Sequence, residues 1–264
     1  MNNLRTVKYL QGQTRPKQIM YQKRSYRNLV RRDNLVSFNL TVQETDLLVH
    51  AKKNLEKITT DLVLKYRGYI EAYIKTNPEF VKTLKPWNNM GPVPMIVRDM
   101  TDAGNAAGVG PMASVAGAVA EYVGLDLLSQ SSEIIIENGG DVFLKTDKAA
   151  TIGIFAGTSP LSMRIGLRMH SKDKPVSICT SSGTIGHSLS LGKADAVCAV
   201  SESGSLADAS ATAIANRVKS KNDINKAINF GKEIKGVKGI VVIVKDKLGL
   251  WGDFDIVRLK GKKG

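Results

Sequence analysis

The sequence predicts an α+β fold, a single domain of mostly antiparallel sheet packed with helices and preceded by a basic arm. Three observations lead to this prediction: the first two concern the domain and the third the arm. The 264 residues are 42% hydrophobic, which is enough for a sizeable core, although the chain is short for two full domains. Short β-branched runs follow one another through the middle of the chain, and helical spacing precedes and follows them. Residues 1–32 carry nine positive charges and no acidic residue. We therefore divide the chain into a basic N-terminal hairpin arm, residues 1–34, and a domain, residues 35–264.

Composition excludes several classes of protein. No stretch approaches the ~18 uninterrupted apolar residues of a membrane span, and the first residues lack the apolar segment of a signal peptide. We therefore expect a cytoplasmic protein. Cys179 and Cys198 are too few for a disulfide scaffold, and a total of three histidines argues against a multi-histidine metal site.

The arm accounts for much of the formal charge of +14. Such a run predicts contact with an acidic partner, either nucleic acid, a membrane surface or a phosphorylated ligand. A solvated strand face is the alternative, because no nucleic-acid-binding signature accompanies the charge. Alternating apolar residues over 35–42 indicate a half-buried strand, which we expect to turn back on residues 28–30 as a hairpin.

A long helix is predicted next. Thr45 is a candidate N-cap, because apolar residues recur at helical spacing over residues 47–63. Gly68 is expected either to interrupt this helix or to mark the start of a second helix over residues 69–74, and the Asn-Pro pair at residues 77–78 ends the segment. Trp87, in the proline-rich connector that follows, is interpreted as a packing residue.

Residues 101–111 are predicted to form a loop of small residues that leads into a helix over residues 112–124. Gly108 and Gly110 precede Pro111, which suits the first helical position, so the loop enters a helix N-terminus, the geometry that receives phosphate. The pattern matches neither the Walker nor the dinucleotide fingerprint. A tight loop feeding a closely packed helix is the alternative.

A buried strand over residues 134–136 runs straight into a polar turn, Asn138-Gly139-Gly140-Asp141. The glycines can adopt φ > 0 and leave the backbone bare enough for a ligand to lie against it. The amide and the carboxylate at the mouth of the turn would then hold a polar or cationic ligand. The alternative is an ordinary hairpin turn, because Asn-Gly is a common short hairpin signal.

Short strands dominate the middle of the chain, and a hydroxyl-rich loop with Thr180, Ser181, Ser182 and His187 lies among them. Loops of this composition often carry sites. Cys179 ends the strand before this loop, so a thiolate there with His187 as its base would suit a sulfur-handling enzyme. A small core residue is the alternative for this cysteine. The strands are predicted at residues 151–155, 163–169, 176–179 and 194–200.

A capping box from Ser205 to Asp208 predicts a helix that continues to about residue 218. Asp208 and Thr212 lie at i and i+4, so both oxygens project from one helical face. Two such ligands suit Mg²⁺ when a phosphate supplies the rest, whereas capping alone would also explain the aspartate. Beyond this helix we expect another over residues 222–234 and a final hairpin, residues 240–245 and 250–259, turned at residues 246–249.

In this order, the Asn138–Asp141 turn, the hydroxyl loop with His187 and the small-residue helix over residues 206–213 resemble the ApbE superfamily. Its members are flavin transferases that move FMN from FAD onto protein threonines. More narrowly, the chain is similar to a largely uncharacterised branch of small cytosolic members, through the Thr-Asp-Ala-Gly-Asn stretch at residues 101–105 and the Cys-Thr-Ser-Ser-Gly-Thr-Ile-Gly-His stretch at residues 179–187.

The resemblance implies that Asn138, Gly139, Gly140 and Asp141 lie at a flavin site and that Asp208 and Thr212 hold Mg²⁺ against the diphosphate. The implied cofactors are Mg²⁺ and FAD or another flavin nucleotide. Two motifs depart from the transferases: the lysine that precedes their small-residue helix is absent, and their His-Ile-Ile-Asp-Pro loop is reduced to His187 followed by Ser-Leu-Ser-Leu.

These observations lead to three functional hypotheses. The first is an ApbE-like protein that binds a flavin or nucleotide diphosphate with Mg²⁺ and acts as a transferase or hydrolase at the diphosphate. The second is a sulfur-handling enzyme that uses Cys179. The third is a non-catalytic accessory protein that binds an acidic partner through the arm. The sequence leaves open whether the protein acts as a monomer or as a homo-oligomer.

Overall fold

The computed structural model describes residues 34–88, 91–183 and 191–259, so residues 1–33 of the arm, including the predicted hairpin strand at residues 28–30, and His187 lie outside the described residues. The helices are α1 (Glu56–Thr76), α2 (Met95–Ala107), α3 (Val115–Leu127), α4 (Gly204–Ala215) and α5 (Ile224–Lys232), with 3₁₀ helices at Pro78–Val81, Pro111–Ser114 and Lys221–Asp223. The strands are β1 (Val36–Val42), β2 (Thr45–Ala51), β3 (Ile134–Asn138), β4 (Asp141–Lys145), β5 (Ala150–Gly153), β6 (Ile165–Met169), β7 (Val176–Ser181), β8 (Ala196–Ser201), β9 (Val237–Val244), β10 (Lys247–Gly252) and β11 (Asp255–Arg258).

Two sheets organise the domain. Eight strands pair in the order β1-β2-β3-β4-β7-β8-β9-β10, and three more in the order β11-β6-β5. Every strand pair in the described ranges is antiparallel. The predicted α+β class is therefore confirmed, and most of the predicted strands of the middle segment are present.

The large sheet is covered on both faces. Ile134, Ile136 and Phe143 pack with residues of α1, α2 and α3 in one cluster. Their neighbours in sequence, such as Ile135 and Leu144, pack instead with residues of the small sheet. This alternation follows from the period of two in a strand, because successive side chains point to opposite faces. The helices and the small sheet thus lie on opposite sides of the large sheet.

Residues 45–51 form strand β2, so Thr45 is not a helix N-cap. β2 pairs with β1 on one side and β3 on the other, and its residues 47–51 are all buried. A fully buried strand gives a continuous apolar run that periodicity alone cannot distinguish from a helix. The helix begins at Glu56 instead.

The predicted interruption of this helix at Gly68 is also wrong, because α1 continues through it to Thr76. Gly68 lies on the exposed side, with no atom within 4 Å of where a Cβ would stand. An exposed helical glycine costs about 1 kcal/mol relative to alanine. Burial of Val63, Tyr66 and Ile70 on the opposite face of α1 exceeds that cost.

Most of the predicted glycine-rich loop over residues 101–111 is the second half of α2. A buried stripe that includes Met100, Ala103 and Ala107 holds this helix against the core, although threonine, asparagine and glycine conceal the periodicity. Gly108 ends the helix in the left-handed conformation, with φ 75°. The next segment starts as a 3₁₀ turn at Pro111 before α3 begins at Val115.

The C-terminal segment corrects one further prediction. β9 and β10 form the expected hairpin, but the turn is shorter than predicted because β10 already begins at Lys247. The chain then leaves the large sheet, and β11 pairs with β6 in the small one. The predicted single strand over residues 250–259 is therefore two strands in different sheets. None of the helices in the described ranges is both long and apolar enough to cross a membrane.

Candidate functional site

The turn between β3 and β4 is a two-residue hairpin loop, with Asn138 paired to Asp141 across it. Gly139 and Gly140 have φ of 68° and 110°, values that favour glycine. The N–H of Gly140 donates to Oε1 of Glu137 at 2.8 Å. Both interpretations of this turn thus survive: the hairpin is real, and an added Cβ at Gly140 would meet no atom closer than 3.9 Å, so the backbone there is uncovered.

Asn138 ties this turn to the first turn of α3. Its Nδ2 donates to the carbonyl oxygen of Ala116 at 3.0 Å, and the side chain is buried. A buried amide that is satisfied in this way fixes the distance between two elements. This hydrogen bond therefore joins the strand end before the glycine turn directly to the start of α3.

Asp141 continues the site towards β7. Its Oδ1 accepts the backbone N–H of Thr180 at 3.1 Å, and the residue is only 6% exposed. Burial raises the pKa of this carboxyl well above its usual range, and the negative charge of Asp208 raises it further. A pair of buried carboxyl groups this close favours either a shared proton or a bound cation.

Asp208 reaches the same place from α4. Its Oδ2 accepts the N–H of Gly117, in the first turn of α3, at 3.0 Å. Burial raises the pKa of Asp208 to about 7, while hydrogen bonds from the backbone of Gly117 and Ala116 oppose that rise. The aspartate is therefore a cap, but of a neighbouring helix. The N-cap of its own helix is Ser203, whose side chain accepts the N–H of Leu206, so the predicted capping box at Ser205 is wrong.

Thr212 lies one turn after Asp208 on α4 and is 7% exposed. Carboxylate and hydroxyl oxygens are hard ligands of the kind that Mg²⁺ takes, and this ion commonly binds through one or two protein groups plus substrate phosphates. In the described part of the chain, no group of three or more His, Cys, Asp or Glu side chains is arranged to hold a metal. The pair fits Mg²⁺ completed by a ligand's phosphates and does not fit a zinc-type site.

Cys179 is buried in the same region and does not have the properties of a nucleophile. Burial raises the pKa of its thiol well above the usual range, and the charges of Asp141 and Asp208 add to this effect. The thiol donates to the carbonyl oxygen of Gly204 at 3.6 Å, and the residue is 1% exposed. A reactive cysteine is accessible and held as a thiolate, so the packing interpretation fits this thiol. His187, its predicted base, lies outside the described residues.

The hydroxyl residues at the end of β7 differ in burial and in hydrogen bonding. Thr180 is half-buried, and its Oγ1 lies 3.3 Å from the Sγ of Cys198, on the side of the strand away from α4. Ser181 is buried, and its Oγ has no hydrogen-bond partner among the described residues. Ser182 is half-buried beside it. A ligand role for these three residues remains a prediction.

Gly108 and Gly110 have evident packing functions. Gly108 caps α2, as described above. A Cβ at Gly110 would stand 2.0 Å from the carbonyl oxygen of Thr83, so this position admits only glycine. Phosphate binding at this loop remains a prediction.

Sequence analysis does not identify one further residue at this contact, Glu121 of α3. Its Oε2 accepts the N–H groups of Gly204 and Ser205, at the start of α4, at 2.8 and 3.3 Å. No local motif could have revealed it, because the two partners are 83 residues apart for the first of these bonds. The small residues on both helices were the only signal that their backbones approach closely.

Comparisons with solved structures define the class of the fold. The chain matches the apo form of Pseudomonas stutzeri flavinyl transferase ApbE with a TM-score of 0.55 at 13% identity, over 86% of this chain and 94% of that one. A mutant of flavin transferase ApbE from Vibrio cholerae gives 0.53 at 11% identity, over 82% and 96%. The protein therefore has an ApbE-like fold.

Sequence relatives identify the family. A family model described as AbpE bacteria matches residues 27–250. A UPF0280 protein of Methanocaldococcus jannaschii is 42% identical over 220 residues, 81% of this chain and 89% of that protein. Another from Methanocella arvoryzae is 37% identical over 212 residues, 80% and 86% of the two chains. The chain belongs to this family of UPF0280 proteins within the ApbE-like superfamily.

Proposed function

We propose that this protein binds a flavin nucleotide diphosphate, with FAD as the first candidate, together with Mg²⁺ at Asp208 and Thr212, and that it transfers a group at the diphosphate. The fold and the family support a flavin-related function. The residues that carry the resemblance to flavin transferases, Asn138–Asp141 and the start of α4, meet at the first turn of α3. Their convergence is the reason for preferring a ligand site over an isolated hairpin turn.

One observation carries the proposal: two buried carboxyl groups, Asp141 and Asp208, lie close enough for the charge of one to raise the pKa of the other. In the described part of the chain, neither forms an ion pair with lysine, arginine or histidine. A buried carboxyl group without a counter-charge either takes up a proton or carries a costly charge, and a bound cation removes that cost and keeps the group ionised.

The residues then have distinct tasks. Asp208 holds α3 through the hydrogen bond from Gly117 to its Oδ2. We assign the cation to this carboxylate, with the hydroxyl of Thr212 as the second protein oxygen. Asp141 holds the start of the hydroxyl loop through Thr180, and the bare turn at Gly140 offers backbone to a ligand. When bound, Mg²⁺ supplies Lewis-acid neutralisation of the charge that develops as a diphosphate is cleaved.

An absorbance experiment tests binding. The full-length protein is mixed with FAD and Mg²⁺, passed through a gel-filtration column and scanned for flavin absorbance in the protein peak. We expect co-elution with Mg²⁺ and its loss when EDTA replaces the metal. Flavin that elutes entirely apart from the protein in both conditions would contradict the proposal.

The same mixture distinguishes hydrolysis from transfer to a hydroxyl group of the protein itself. Transfer forms a bond between an acceptor hydroxyl oxygen and the FMN phosphorus, breaks the phosphoanhydride and releases AMP, with the hydroxyl proton passing to solvent. Hydrolysis uses water in place of the acceptor and releases both FMN and AMP. Mass spectrometry of the protein together with chromatography of the nucleotides separates the two, because only transfer adds mass to a polypeptide.

The other hypotheses have less support. A sulfur-handling role needs an accessible thiolate, whereas Cys179 is 1% exposed with a raised pKa. An accessory role through the basic arm concerns residues 1–33, which the structure does not describe. We retain an acidic partner for that arm as a separate proposal, compatible with a nucleotide site in the domain, and cytoplasmic location as a prediction.

A further inference from the structure

Helices α3 and α4 each place a carboxylate at the N-terminus of the other helix. Glu121 of α3 accepts the N–H groups of Gly204 and Ser205 in the first turn of α4, at 2.8 and 3.3 Å. Asp208 of α4 accepts the N–H of Gly117 in the first turn of α3, at 3.0 Å. Each helix thus has N–H groups that its own backbone leaves unsatisfied, and each receives its acceptor from the other helix.

The contact between the two helices leaves no room for adjustment. A Cβ on Gly117 would stand 2.2 Å from the carbonyl oxygen of Gly204, and a Cβ on Gly204 would stand 2.5 Å from that of Gly117. The backbones therefore touch directly, without flexible side chains between them. Any displacement of the start of α4 along α3 carries Asp208 with it, since that residue is one turn further along the same helix.

Ordinary capping does not account for Glu121. Ser203 already acts as the N-cap of α4 through its own side chain. Glu121 is half-buried, and burial raises the pKa of its carboxyl. Keeping the carboxylate charged at this position therefore costs free energy. Within the described residues, no lysine, arginine or histidine forms an ion pair with it. Its charge is balanced by the N-terminus of α4, which makes the position of α4 depend on Glu121.

We propose that Glu121 is a positioning residue for Asp208: by fixing the start of α4 on α3, it sets the oxygen of Asp208 that faces the cation. Glu121 itself does not touch the ligand. The expected effect of Glu121 on metal affinity rests on the proposed function. Its effect on the hydrogen bond from Gly117 to Asp208 does not, and that effect can be tested without any ligand. The residue acts through geometry, as outer-shell partners of metal ligands commonly do.

The experiment compares E121A and E121Q with the control D126A. Asp126 is also on α3 and also accepts side-chain hydrogen bonds, but its donors, Tyr66 at 2.7 Å and Lys65 at 3.2 Å, lie on α1. Mg²⁺ affinity of the full-length protein is measured by calorimetry, and thermal melts report stability. We expect E121A to weaken Mg²⁺ binding about ten-fold, as loss of an outer-shell partner does. E121Q should recover most of this loss, because its amide oxygen still accepts from Gly204.

The control separates positioning from general stability. D126A should lower the melting temperature as E121A does, yet leave Mg²⁺ affinity unchanged. Equal affinity losses in E121A and D126A at equal loss of stability would overturn the inference, and so would unchanged affinity in E121A.

A ligand-free readout keeps the inference apart from the proposed function. Amide exchange measured by NMR should rise in E121A at Gly204 and Ser205, which lose their acceptor, and also at Gly117, whose acceptor is Asp208. Faster exchange at Gly117 in E121A but not in D126A supports positioning even if the wild-type protein binds neither Mg²⁺ nor FAD, a result that defeats only the proposed function. Unchanged exchange at Gly117 in E121A overturns the inference.

Discussion

The helical layer over the large sheet has two regions that pack in different ways, one through large side chains and the other through direct backbone contact. Under α1, large side chains fill the core: Tyr73 and Phe80 meet edge to face with ring centroids 4.9 Å apart, and Phe80 and Trp87 at 5.8 Å. Trp87 Nε1 donates to the hydroxyl of Tyr73 at 3.1 Å, so its predicted packing role is confirmed. Between α3 and α4, glycine meets glycine.

The two regions also differ in the polar groups that they bury. The α1 region buries apolar and aromatic groups whose few polar atoms are paired, whereas the α3–α4 contact brings Asp208 and Glu121 to helix starts and Asp141 to its edge. Aromatic packing contributes stability through buried area. Close backbone contact with buried carboxylates costs stability and creates a site. Stability and ligand binding should therefore respond to different substitutions.

The largest expected effect on stability is that of F80A. Phe80 is fully buried between Tyr73 and Trp87. Its truncation should lower the free energy of unfolding by about 3–5 kcal/mol, as measured by urea denaturation. FAD affinity of the folded variant, measured with Mg²⁺ present, should stay close to wild type. A large loss of affinity would show that the two regions are coupled and that the comparison fails.

D208N should affect ligand affinity and leave stability nearly unchanged, the opposite of F80A. The asparagine oxygen can still accept the N–H of Gly117, so the melting temperature should change little. Loss of the anionic ligand should weaken Mg²⁺-dependent FAD binding about 100-fold, or about 2.7 kcal/mol, by calorimetry. The control is D223N, because Asp223 accepts N–H groups from Lys219 and Ser220 at the surface and faces no site. Unchanged affinity in D208N would leave capping of α3 as its whole role.

A smaller effect is expected from G140V. The φ of 110° is strained for any side chain and should cost about 1–3 kcal/mol of stability. The added side chain also covers backbone that the proposed ligand needs, so affinity should fall about ten-fold, or about 1.4 kcal/mol. Calorimetry below the melting transition separates the two effects. Lost stability with intact affinity would mean that the hairpin requires glycine and that no ligand lies against it.

The smallest effect on the site should follow deletion of residues 1–25. Charge attraction to a polyanion weakens as salt rises, whereas an enclosed diphosphate with Mg²⁺ is screened less. We expect the truncated protein to keep its FAD affinity and to lose salt-sensitive retention on heparin. If affinity collapsed while thermal melts showed an intact fold, the arm would belong to the pocket, with Arg24, which the deletion removes, as the first candidate phosphate contact.

Local patterns in the sequence were sufficient for much of this protein. Alternation and β-branched runs predicted β1 and the strands of the middle segment. The Asn-Gly pair indicated a hairpin turn as one of two interpretations of residues 138–141, and a hairpin is present there. Spacing of four residues placed Asp208 and Thr212 on one helical face. These features depend on the chain's own period, so neighbouring residues contain the information.

Tertiary contacts decided the rest. Residues 47–51 are a strand because β1 and β3 lie on either side, and α2 is helical through its small residues because its buried stripe has a surface to cover. The partner of Asp208 is 91 residues away, on another helix. A hydrogen bond over that separation leaves no periodic trace in the sequence. Whether a carboxylate caps its own helix or a neighbour is decided only when the two backbones pack, here because Gly117 and Gly204 let them touch.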